Sequence, residues 1–149
     1  MSTEYSLLLK QAEALLSIET DSIANAANLA ALIFNNVARV NWAGFYFLQE
    51  NELVLGPFSG QVACTRIAID AGVCGTAFAN QEALVVDDVH QFEGHIACDI
   101  ASRSEVVVPF ISENLTGVLD VDSPDKNRFT EKNKQFYQQL VAIYLRACN

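Results

Sequence analysis

Residues 104–123, SEVVVPFISENLTGVLDVDS, hold two β-rich runs separated by a polar break at Glu113-Asn114. Branched and aromatic side chains before the break, and apolar–polar alternation after it, predict an antiparallel hairpin. In the second arm Asp120 and Asp122 alternate with Leu119 and Val121. A strand sends both aspartates to one face, about 6.5–7 Å apart. Glu105 opens the first arm, so pairing of the arms sets it beside the aspartates. Three carboxylates then crowd one end of a sheet. A solvated strand end is the plain reading; the sharper one is a cluster that binds an ammonium group or holds one proton at neutral pH.

Outward from this hairpin the pattern repeats. NWAGFYFLQENELVLGPFSG predicts strands over 43–49 and 52–56, turned at Glu50-Asn51. CTRIAID reads as a short strand, AGVCGTAFANQ as a short helix, and EALVVDDV as a strand with an acidic end. Apolar residues at 5, 8, 9, 12, 15 and 16 predict a first helix. Asp21 or Ser22 caps a second, with Ile23, Ala26, Ala27, Ala30, Ile33, Phe34 and Val37 as its apolar face. Thr130 caps a last helix running to Ala147. No repeat or linker interrupts the chain, so residues 1–149 are expected to form one domain. Helices flanking hairpin-connected strands predict an α+β fold, with an antiparallel sheet covered by helices mainly on one face and by loops on the other.

A chain of 149 residues, 51% hydrophobic and 18% charged, can bury a core without staples. Its formal net charge of −9, without a run of Lys or Arg, argues against nucleic acid as a partner. The N-terminus lacks the pattern of a secretory leader, and no segment approaches the length of a membrane span. A cytoplasmic protein is expected.

In that compartment four cysteines point to metal, catalysis or redox work rather than a disulfide framework. Cys64 lies where a loop enters a strand. Cys74 lies near a predicted helix start, where the helix dipole would favour its thiolate. Cys98 has His95 and Arg103 nearby, and Cys148 is next to the C-terminus. Zinc could draw on Cys64, Cys74, His90, His95 and Cys98, but structural zinc sites usually take ligands in closely spaced pairs, and only His90/His95 and His95/Cys98 are so spaced here. No metal is expected. Trp42 and Tyr46 share one strand face, as core packing or as the apolar half of a pocket.

Taken in order, NWAGFYF, LGPFSGQVACTRIAIDAGVCGTA, VDDVHQFEGHIACD, SEVVVPFI and GVLDVDSP resemble the free methionine-(R)-sulfoxide reductases, which are GAF-domain enzymes. The resemblance runs from about residue 5 to the last helix. It implies a GAF fold: an antiparallel sheet of about six strands, the N-terminal and C-terminal helices on one face, and the ligand pocket under loops on the other. It also implies that Cys98 is the nucleophile, that Cys64 and Cys74 are the recycling thiols, and that Trp42, Tyr46, Glu105, Asp120 and Asp122 line the substrate site. Glu105 or Asp122 is the implied proton donor. Free methionine sulfoxide is the implied substrate and thioredoxin the implied reductant, with no resident cofactor and a homodimeric assembly through helical faces. The chain departs from the usual pattern at Ile100 and Arg103, and Arg103 could tune how readily Cys98 ionises. A ligand-binding regulatory GAF module and a thiol-based redox sensor are the alternative readings.

Overall fold

The structure is a computed structural model and describes residues 3–94 and 101–148. Two helices, α1 (Thr3–Leu16) and α2 (Ser22–Asn36), precede strands β1 (Trp42–Gln49), β2 (Glu52–Gly60) and β3 (Arg66–Ala68). Helix α3 (Gly72–Asn80) and strand β4 (Leu84–Val86) follow, then a 3-10 turn (Val89–Gln91). Strands β5 (Ser104–Ile111) and β6 (Thr116–Ser123) and helix α4 (Glu131–Ala147) complete the order. The strands form one sheet in the order β3-β2-β1-β6-β5-β4, antiparallel at every pairing.

Local chemistry sets the helix ends. The Asp21 carboxylate accepts from Ala24 N at 2.9 Å, meeting one of the amide donors that a helix start leaves unpaired. Thr130 and Asn133 form a reciprocal capping box on α4. Alternation along the strands then sorts side chains between two cores. Ala43, Phe45, Val106, Val108, Phe110, Leu119 and Val121 pack under α1, α2 and α4. Trp42, Tyr46, Val107 and Val118 point the other way, against α3 and the loops. Gly44 faces that second side, and a Cβ there would lie 2.7 Å from the Trp42 ring and clash with the Phe58 Cβ. Its missing side chain lets Trp42 stack on Phe58, with ring centroids 5.4 Å apart.

Three expectations need correction. The buried face of α2 is turned from the apolar stripe: Ile23 is 55% exposed and Ala27 is exposed, whereas Asn25 and Leu29 are buried. Asn25 is accommodated because its Nδ2 donates to Glu19 O at 2.8 Å and reaches Cys148 Sγ at 3.8 Å. Strand β2 runs on to Gly60, paired with Trp42. Strand β4 ends at Val86, because the Asp88 carboxylate accepts from His90 N and opens the 3-10 turn.

Candidate active site

The carboxylate end of the sheet is built by register. Asp122 pairs with Trp42 on one side and Glu105 on the other, placing all three in one cross-strand row. The next row holds Gly44, Asp120 and Val107. Directly opposed side chains in such rows sit about 4.5–5.5 Å apart at Cβ. The cluster expected from the hairpin therefore forms, and it is buried: Glu105, Asp120 and Asp122 are 8%, 6% and 8% exposed.

These residues line a small cleft that opens to solvent. Trp42, Tyr46 and Cys74 share the lining. Sequence reasoning missed several other members, among them Ile67, Val89 and Ser102. Ser102 carried a signal as a polar residue just before a strand; Ile67 and Val89 look like ordinary core residues in sequence.

The two aromatic residues pack and also hold a loop. Trp42 Nε1 donates to Gln61 O at 3.0 Å, and Tyr46 OH donates to Cys64 O at 2.8 Å. Burial, followed by the nearby Asp120 charge, pushes the Tyr46 phenol far up and keeps its proton in place as a donor. Cys64, half-buried at the end of that loop, is disulfide-bonded. Cys74 and Cys148 are free thiols.

Cys74 enters the cleft from the first turn of α3, with Sγ 4.0 Å from Glu105 Oε2. Its thiol is pushed well up, first by burial and then by the charges of Glu105 and Asp122. The thiolate expected from the helix dipole is therefore overridden: a dipole effect of about 1 kcal/mol is outweighed by complete burial beside carboxylates. Asp120 is likewise pushed well up, by burial and then by Asp122, Cys74 and Glu105. Asp120 Oδ1 is buried without a hydrogen-bond partner among the described residues. Sγ of Cys74 and one carboxylate oxygen each from Glu105 and Asp120 lie within 4.8 Å of one another. This donor set differs from the one that zinc spacing brought into view.

Cys98, with His95 and Ile100, lies outside the described residues. The chain on either side of it is pinned beside the cleft: Val89 N donates to Arg103 O at 2.7 Å, and Arg103 N to Ser123 O at 2.8 Å. The Arg103 guanidinium lies 3.7 Å from the Asp88 carboxylate. His90 is exposed in the 3-10 turn. Cys148 packs on the helical side of the sheet, away from the cleft. Among the described residues no helix is long and apolar enough to cross a membrane.

The GAF-domain family model matches residues 24–147. Protein YtsP of Bacillus subtilis is 53% identical over 140 residues, 92% of this chain and 86% of its own. The free methionine-R-sulfoxide reductase of Escherichia coli is 48% identical over 139 residues, 93% of this chain and 84% of its own. Among solved structures, the fRMsr of Staphylococcus aureus in complex with substrate superposes with a TM-score of 0.93 at 45% identity, covering 100% of this chain and 98% of that one.

Proposed function

The chain belongs to the free methionine-R-sulfoxide reductases of the GAF-domain family, and we propose that it reduces free methionine-R-sulfoxide to methionine by a cysteine relay. The observation that carries this reading is the buried row of Trp42, Asp122 and Glu105, with Asp120 beside it and the disulfide-bonded Cys64 at the end of a loop tied to Tyr46. Among the described residues no ion pair reaches Glu105 or Asp120, and buried carboxylates so placed favour a ligand that brings its own positive charge. The substrate ammonium supplies that charge, and the Trp42 ring offers an apolar wall for the methyl group.

The cluster also supplies the acid. Burial and its neighbours push the Asp120 carboxyl well up, and Glu105 or Asp122 beside it presents a proton to the sulfoxide oxygen. Protonation weakens the S–O bond, and the Cys98 thiolate attacks sulfur. Methionine leaves, and the oxygen ends on Cys98 as sulfenic acid. The Cys64 thiol condenses with it, forming a disulfide and releasing water. The engagement of Cys64 in a disulfide while Cys74 stays free supports Cys64 as the first resolving thiol. Cys74 serves in later exchange. An external dithiol, thioredoxin in the cell, takes the disulfide back to thiols, so no resident cofactor is required.

The enzyme works in the cytoplasm as a homodimer through its helical faces. Exposed Leu7, Ile18 and Ile23 on the α1 and α2 side fit that assembly. The reading is tested by incubating the protein with dithiothreitol and each epimer of free methionine sulfoxide and measuring methionine. Selective consumption of the R epimer is expected. Folded protein that turns over neither epimer contradicts the reading and leaves a ligand sensor or a thiol switch.

A further inference from the structure

We propose that Cys74, Glu105 and Asp120 form a binding site for a thiophilic divalent cation of the zinc type. The three donors come from α3, β5 and β6, and all are more than nine-tenths buried. One sulfur and two carboxylate oxygens lie within 4.8 Å of one another. Donors around a tetrahedral zinc, at about 2.3 Å for sulfur and 2.0–2.2 Å for oxygen, stand roughly 3.5 Å apart. Closing the ligand-free cluster onto such an ion therefore takes at most about 1.3 Å for any pair of donors.

A second observation points into the same space. Asp120 is 6% exposed, lines the cleft, and keeps Oδ1 without a hydrogen-bond partner among the described residues. None of the ion pairs among the described residues reaches Glu105 or Asp120. A cation supplies the missing partner, and a fourth coordination position opens to the cleft, where water completes the shell.

Binding inverts the local proton balance. Cys74 is a free thiol in the ion-free cluster. A coordinated thiol is deprotonated outright, so the Cys74 proton passes to solvent as the metal enters. Occupancy of Glu105 and Asp120 also excludes the substrate ammonium. That last consequence rests on the reductase reading, whereas metal binding does not.

The test uses the disulfide form of the protein, in which Cys64 is blocked and Cys74 and Cys148 remain free. Titration with Cd2+ should give a thiolate-to-metal charge-transfer band saturating at one ion per chain, with proton release. Cys148→Ser should keep the band, and Cys74→Ser and Cys74→Ala should both lose it. Asp120→Asn, which keeps a neutral side chain of nearly the same shape and so preserves the fold, should weaken binding tenfold or more. Absence of the band in the parent protein, or its survival in folded Cys74→Ser, overturns the site. Free methionine-R-sulfoxide should compete with Cd2+. A Cys74-dependent band that the sulfoxide leaves unchanged upholds the metal site and contradicts the substrate reading of the pocket.

Discussion

Glu105 and Asp122 face each other directly across β5 and β6, both buried, and Trp42 completes their row from β1. Negative charge gathered in such a row favours the protonated form of a buried carboxyl beside it. That carboxyl is Asp120, which burial and then Asp122, Cys74 and Glu105 push well up towards keeping its proton.

That proton has a thermodynamic consequence. Asp120 has a folded-state pKa raised above its unfolded value, so the folded chain binds more protons than the unfolded chain once pH exceeds the ordinary carboxyl range. Stability contributed by this group is present below the unfolded pKa and is lost as pH rises towards the folded one. Asp120→Asn removes the loss. Its Tm should exceed the parent's at pH 7 by a few degrees, at about 2–4 °C per kcal/mol for a chain of this size. The gap should close near pH 4. Thermal melts across pH check this, and a Tm below the parent's at pH 7 would contradict it. The same variant should lose activity about 100-fold or more, as expected when an acid is taken from proton transfer.

Tyr46 ties the sheet to the Cys64 loop through its hydroxyl. Tyr46→Phe keeps the ring and leaves the Cys64 carbonyl without that donor. Chemical denaturation should show a loss of about 1–3 kcal/mol. Rapid quench should show slower disulfide formation after a near-normal first release of methionine.

Gly44 is where a side chain would strike the pocket wall. Gly44→Ala pushes on both Trp42 and Phe58, and overpacking of this kind costs about 1–3 kcal/mol. The expected signature is a raised KM for the sulfoxide together with a lowered Tm.

The buried, neutral Cys74 thiol should react slowly. In the disulfide form, iodoacetamide at pH 7 should label half-buried Cys148 well before Cys74, as peptide mass spectrometry would show. Faster labelling of Cys74 would mean that the helix dipole, not burial, governs its ionisation.

Much of this arrangement was legible in sequence because strands alternate strictly. Asp120 and Asp122 had to share a face, and a hairpin turned at Glu113-Asn114 had to bring Glu105 beside them. The capping residues Asp21 and Thr130 were legible for the same local reason. The ionisation of Cys74 was not, because its sequence neighbours suggest a helix start while its spatial neighbours are carboxylates from strands more than thirty residues away. The α2 face misled for a related reason: a buried Asn25 is tolerable once Glu19 and Cys148 meet it, and no helical period reports that. The hydrogen bonds from Trp42 and Tyr46 to Gln61 and Cys64 depend on where a loop folds back, which side-chain pattern does not encode.

The most direct test of the account is a single turnover without reductant. Fully reduced protein mixed with free methionine-R-sulfoxide should release one methionine per chain and lose two thiols, with peptide mapping placing Cys64 in the new disulfide, while Cys98→Ser should release none. Methionine release by Cys98→Ser, or none by the folded parent protein, would contradict it.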